Sequence, residues 1–278
     1  MANENIARAM KVIKTAVTHV KATVGAGMTI FALDASFMPS RLNILASAYM
    51  AGFIPENSSI EVEVGEIGGS TNSTVADALE LITGNRYKET ITEDPQTKAP
   101  PLRDALKAAL PQDALKAALP QDALKAAYSV LERDADNKPI IERKQKGLLD
   151  YGVTIDRLAI NNGTAHGNNY DKAGNLIQTQ MNIRMTQAIA QAIAPYNIQI
   201  VQHGVTGTPL STLPHLRAAG ITSAHVGTNW QNIVWDTLVA QAKKDTTVAT
   251  LVNKMLTTLL TKHGEKYGVT TNSFARSA

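Results

Sequence analysis

The chain contains no cysteine, so no disulfide staples the fold and no thiolate serves as nucleophile or metal ligand. Aromatic residues make up only 5% of it, too few for the stacking platforms that hold single-stranded nucleic acid. No apolar run reaches the roughly 18 residues of a membrane-spanning helix, and no signal-peptide pattern opens the sequence. Charge of one sign is missing as well: 27 Lys and Arg stand against 24 Asp and Glu, a net +3, and the basic residues are dispersed. These absences predict a cytoplasmic protein with neither nucleic acid nor membrane as partner. What remains is 278 residues, 44% hydrophobic, enough to bury a large core as one α/β domain with insertions or as two domains.

Two short apolar runs each end in histidine followed by glycine, the first at His166 and Gly167, the second at His203 and Gly204. A buried strand that stops at such a step throws an imidazole to the rim of a sheet, and the glycine lets a ligand approach the backbone. A third strand end alternates Glu61 and Glu63 with β-branched residues before Gly65, Gly68 and Gly69, so the two carboxylates share one face. Two imidazoles and a carboxylate suit a divalent ion such as Zn2+ and leave positions open for water or substrate. Taken singly, each of these residues also reads as a hydrogen-bonded polar group closing a strand.

In their order and spacing these residues resemble the class II, metal-dependent fructose-bisphosphate and tagatose-bisphosphate aldolases. The likeness spans roughly residues 25 to 70 and 145 to 240, through Asp34 and Ser36, Asn43, Glu61 to Gly65, Gly163 to Gly167 and His203 to Gly207. It implies a TIM-type (β/α)8 barrel, a lyase of carbohydrate metabolism and glycolysis, a phosphorylated sugar substrate and a homo-oligomer. It also implies His166 and His203 as zinc ligands and Glu63 as a metal-associated carboxylate. Gly167, Gly204, Thr206 and Gly207, continuing into Gly227 and Thr228, would then line the pocket for one substrate phosphate. Glycine-rich turns at strand ends suit that role, because their N–H groups and a threonine hydroxyl form a concave anion site. The alternative for residues 204 to 208 is an ordinary loop before a helix opened by Pro209.

The departures from the family pattern carry equal weight. No Asp-His step, the family's source of a proton-transferring aspartate and a third histidine ligand, occurs in the chain. His19 lies within an amphipathic helix pattern and reads as a packing or surface residue. Where the family carries acidic residues on a mobile loop, this sequence has Ser70, Thr71, Asn72, Ser73 and Thr74. His225 stands in place of a carbonyl-facing asparagine; it reads as a donor to a substrate oxygen, as a group approaching the metal, or as a structural rim residue.

The periodicity predicts helices over 4–23, 39–52, 137–151, 181–194, 209–219 and 230–265, with strands over 29–35, 59–65, 157–162, 197–202 and 222–227. Five buried strands alternating with helices read as the last five β/α units of a barrel, with N-terminal strands missing. The expected organisation is barrel units over 1–69, a helical insertion over 70–145 and further barrel units with C-terminal helices over 146–278. The insertion holds a nine-residue repeat starting at Asp104, Asp113 and Asp122, broken by Pro111 and Pro120. Two functions follow: metal-dependent aldol cleavage and condensation of a phosphorylated ketose, or a catalytically impaired aldolase-derived binding or assembly protein.

Overall fold

The computed structural model describes residues 2–92, 128–170, 173, 176–177, 179 and 181–267. Its centre is a five-stranded parallel sheet built from β1 (Ile30–Leu33), β2 (Ser59–Val64), β7 (Arg157–Ile160), β10 (Gln199–Gln202) and β11 (Ile221–Ala224), adjacent in that order. Neighbours in the sheet are therefore successive parallel strands in the chain, the arrangement of a (β/α) barrel arc. Among the described residues the arc does not close, and β1 and β11 form its edges.

Helices cover one face of the arc. Helix α1 (Ala2–Gly25) turns Ile13, Val17, Val20 and Val24 toward the core, a spacing that makes a single apolar stripe. Helix α2 (Ser40–Ala51) packs beside it and against β1. Helix α3 (Val75–Thr83) opens on a capping box between Thr74 and Asp77, ends at Gly84 in the left-handed region, and buries Val75, Leu79, Leu81 and Ile82. Helix α4 (Ile183–Ile193) packs against α3 and β10, with Asn182 accepting from Met185 N at 3.0 Å as its cap. Leu158, Ile160, Ile189, Ile193 and Ile200 are fully buried in the shared core.

The described parts of residues 70–145 differ in detail from the helical insertion expected there. Val75–Thr83, where no helix was expected, form a core helix. The helix expected over 137–151 is instead β6 (Ile141–Lys144), paired antiparallel with β3 (Asn85–Tyr87), followed by a single 3-10 turn at Leu149–Tyr151. Cross-strand pairing outweighs local propensity here. Strands β4 (Glu89–Thr92) and β5 (Tyr128–Leu131) form a second antiparallel pair, with β5 lying against α3 and α4. The repeat units between Asp104 and Ala127 lie outside the described residues. The helix expected over 209–219 is a 3-10 segment, Leu210–His215, because Pro214 removes a donor and restricts the residue before it.

A buried ion network ties α3 to this added layer. The fully buried carboxylate of Glu80 accepts from Arg143 Nε at 3.1 Å, from Arg143 Nη2, from Gln145 Nε2 at 3.0 Å and from Arg86 Nη1 at 3.4 Å.

Residues 227 onward form a second compact unit. Within it, α5 (Thr228–Ala242) packs on α6 (Thr246–Tyr267), and Asp245 caps the latter by accepting from Thr247 N at 2.7 Å. No described helix is long and apolar enough to cross a membrane.

Gly84 and Gly147 let the chain cross itself beneath α3: a Cβ on Gly147 would fall onto the Gly84 amide and the Ile82 carbonyl, whereas one on Gly152 would meet nothing within 4 Å. Gly147→Ala should therefore cost about 3 kcal/mol by overpacking. Gly152→Ala, at φ 72°, should cost only the left-handed penalty of about 1 kcal/mol. Urea denaturation compares them, and equal losses would contradict the close crossing.

Candidate metal centre at the strand ends

The parallel register sets the site. Ala32 pairs with Glu61, Glu61 with Arg157, and Arg157 with Gln199; Glu63, Ala159 and Val201 form the next row, into which Ser223 falls from β11. Residues in register on a parallel sheet project to the same side. The face opposite the helices thus carries both glutamates, and His203 and His225 follow at the ends of β10 and β11. Ala159, Val201 and Ser223 on that face are compact and leave room for a carboxylate to reach along it.

Glu61 and Glu63 are buried, at 2% and 5% exposure. His203 Nε2 lies 2.8 Å from Glu61 Oε1, and His203 Nδ1 lies 4.0 Å from Glu63 Oε2. His225 Nε2 stands 3.4 Å from Glu61 Oε2, and its ring stacks on that of His203 with centroids 4.7 Å apart. One potential ligand atom from each of Glu61, His203 and His225 falls within 4.8 Å of the others. His166, exposed at the end of the β7 loop, has its ring 5.6 Å from that of His203.

The set brought together thus differs from the one read in the sequence. His203 is common to both, Glu61 and His225 enter, and His166 and Glu63 flank the group. Strand alternation correctly put Glu61 and Glu63 on one face but could not say which one His203 meets. That depends on the angle at which β10 crosses the row.

A cation fits this donor set. Among the described residues Glu61 Oε2, which is buried, has no hydrogen-bond partner, which is costly for a carboxylate oxygen unless positive charge or a metal faces it. Two imidazoles and a carboxylate are typical of zinc and related divalent ions.

Titration at the cluster follows burial and crowding. Burial, with the negative charges of Asp34 and Glu61, raises the Glu63 carboxyl to about 7. Burial alone would lower His203, but its bond to Glu61 and the charges of Glu63, Glu61 and Asp34 carry it above the usual imidazole value. Burial and the neighbouring His203 lower His166. Asp34 is itself held by Ser36, whose N–H and hydroxyl donate to Asp34 Oδ1 at 3.0 and 2.7 Å.

Buried polar side chains fix the loops around the cluster. Asn43 Nδ2 donates to Glu63 O at 2.9 Å. Asn161 donates from its side chain to Gly69 O and Thr71 O at 3.2 and 2.8 Å; Ser73 Oγ bridges from Asn161 N to Val64 O. Beneath His203, Asn162 Nδ2 donates to Gln202 Oε1 at 2.7 Å, and Gln202 Nε2 donates to Thr164 Oγ1 at 2.9 Å. Asn161, Asn162, Gln202 and Thr164 were not among the residues read as functional. Their type and position at strand ends was the available signal.

Several residues expected to line a phosphate pocket lie on two neighbouring turns. Gly204 sits at φ 67°, where a Cβ would lie 2.6 Å from Ala165 O, and a Cβ on Gly207 would lie 3.2 Å from Gly167 O. The turns after β7 and β10 therefore touch backbone to backbone, as glycine permits. Gly207 O accepts from Thr179 N at 3.1 Å, Thr206 is half-buried, and residues 205–207 form a 3-10 turn. Gly227 caps α5 and Thr228 begins it, so both open the second compact unit.

Residues 140–271 match the family model of class-II fructose-bisphosphate aldolase, so the resemblance read from the motifs holds over that span. It contains His166, His203, His225 and the Gly204–Gly207 turn, and leaves out both glutamates. Similar solved structures include the YdjI aldolase from Escherichia coli K12, at 15% identity and a TM-score of 0.42 over 78% of this chain and 52% of that one. Another is fructose-bisphosphate aldolase (Fba) from Campylobacter jejuni, at 15% identity and a TM-score of 0.41 over 80% and 49%. The chain thus spans about half the length of these structures. No curated protein matches it.

Because Glu63 keeps its proton longer in the folded than in the unfolded state, its neutral form stabilises the metal-free protein fully below pH 4.5, and that contribution is lost as pH rises through about 7. The loss amounts to about 3 kcal/mol. Metal-free Glu63→Gln should lack this part of the decline when urea stability is measured from pH 4.5 to 8. Parallel pH–stability curves for the two proteins would refute the assignment.

Proposed function

We propose that the chain carries out metal-dependent aldol cleavage and condensation of a phosphorylated ketose, with zinc held by Glu61, His203 and His225. The observation that carries this reading is the approach of His203 and His225 to the buried carboxylate of Glu61, one oxygen of which has no hydrogen-bond partner among the described residues. The family match over residues 140–271 supports the reaction class.

A divalent ion held by Glu61, His203 and His225 would supply Lewis acidity toward a ketose carbonyl. The chain's own groups do the rest. The touching turns at Gly167 and Gly204–Gly207, with the Thr206 hydroxyl, bind one substrate phosphate. His166, kept toward its neutral form, borders the cluster as a hydrogen-bonding group for a substrate hydroxyl. Glu63 holds a proton near neutral pH and is placed to take up or return one at the rim.

The segment from Ser70 to Thr74 carries no acidic residue, so proton transfer lacks the loop that the family resemblance implies. Absence of a positioned acid or base costs about 10²–10⁴-fold. We therefore expect about one zinc per chain by elemental analysis, and release of triose phosphate from fructose or tagatose 1,6-bisphosphate well below the ~10 s⁻¹ of a median enzyme.

His203→Ala and His225→Ala should each abolish metal retention, and His166→Ala should retain it more nearly. Loss of metal in His166→Ala with retention in His225→Ala would restore the set read from the sequence. Zinc-loaded protein giving no triose phosphate above the metal-free control would leave a metal-binding protein without aldol chemistry.

A further inference from the structure

A concavity of about 670 Å³ lies between the first half of α2 and the end of β6 with the residues that follow it. It shares no lining residue with the strand-end cluster. Arg41 projects from α2 at one side, and Arg143, Lys144 and Lys146 line the other; no aspartate or glutamate is among the lining residues. Arg143 is committed to the buried Glu80 carboxylate. Among the described residues, Arg41, Lys144 and Lys146 have no carboxylate within ion-pair distance. The nearby carboxylate of Asp150 accepts from Gly147 N at 2.9 Å and does not line the cleft.

Three cations facing one concavity without a counter-charge repel one another, and an anion bound among them relieves that repulsion. The helix adds to this field. Helix α2 begins at Ser40 with no side-chain cap and no acidic residue in its first turn, and Ser40 lines the same cleft. The positive end of its dipole faces anions well, although the Leu42 and Asn43 amides already donate to Pro39 O at 2.8 and 3.0 Å. Opposite, Tyr151 stands with its ring 5.6 Å from Lys146 Nζ, and Ile44 and Leu45 complete an apolar wall. The volume suits a small organic ligand.

We infer that this cleft binds a small diphosphate-bearing molecule, its phosphates among Arg41, Lys144 and Lys146 and any organic portion against Tyr151. Two linked phosphates match several separated cations better than one does. Arg143, whose charge Glu80 already balances, adds to the lining.

The probe is inorganic pyrophosphate, titrated calorimetrically into the full chain at constant ionic strength, with sulfate as the competing anion. One pyrophosphate per chain should bind in preference to sulfate. Affinity should fall at least about tenfold in Arg41→Gln and in the double variant Lys144→Gln/Lys146→Gln, each removing charge-assisted hydrogen bonds. These residues are exposed, and unchanged thermal melting of the variants confirms that the loss is local. His203→Ala should keep the binding, which separates this cleft from the strand-end metal cluster. Undiminished affinity in the cleft variants, loss confined to His203→Ala, or equal displacement by sulfate would overturn the inference.

Discussion

A buried carboxylate with an open oxygen sets the terms for the whole strand-end region. Glu61 is almost completely enclosed, and one of its oxygens meets His203 while the other has no hydrogen-bond partner among the described residues. Such a group persists in a folded protein only where positive charge compensates it. The nearest nitrogens that can respond belong to His203 and His225, two imidazoles stacked at the ends of adjacent strands. A metal ion satisfies the carboxylate oxygen and both ring nitrogens together, whereas protonating both stacked rings would set like charges face to face.

That arrangement requires three strands and their loops to hold register. Parallel pairing of β2, β7 and β10 puts Glu61, Arg157 and Gln199 in one row, and the polar residues just past the strand ends prevent slippage. Asn162, Thr164 and Gln202 lock the end of β7 to that of β10, and Asn161 with Ser73 fastens the loop after β2 to β7. All five are buried. A buried amide that lost its partner would pay the desolvation penalty in full, so this lattice resists rearrangement more than an apolar contact of the same size.

Much of this was legible in the sequence, for identifiable reasons. The five parallel strands were readable because each is a short apolar run between turn signals, and their ends lie within two or three residues of the expected positions. His203 was recognisable from its place before a glycine at a strand end. The pairing of Glu61 with His203 was not, because it depends on interstrand geometry that no local pattern encodes. His225 was visible as a departure from the family pattern, with approach to a metal among its readings, and the structure brings it to Glu61. Helix α3 was missed because the flanking Ser, Thr and Asn residues masked its apolar spacing. Strand β6 was missed because Ile141 to Lys144 is locally as good a helix as a strand, and only pairing with Asn85–Tyr87 decides it.

The same geometry relocates the acidic chemistry. In the resembling family an acidic mobile loop serves proton transfer. Here the loop after β2 is uncharged from Ser70 to Thr74 and is pinned by Asn161 at Gly69 and Thr71 and through Ser73. The carboxylates stand instead on the strands themselves, Asp34 just past the end of β1 and Glu61 and Glu63 on β2, close enough for Asp34 to act on Glu63 and on both His166 and His203. Burial, with the neighbouring charges of Asp34 and Glu61, is why Glu63 holds its proton toward neutral pH. The carboxylates nearest the histidines are therefore fixed in the sheet and placed by register, and in the proposed reaction proton transfer would rest on them.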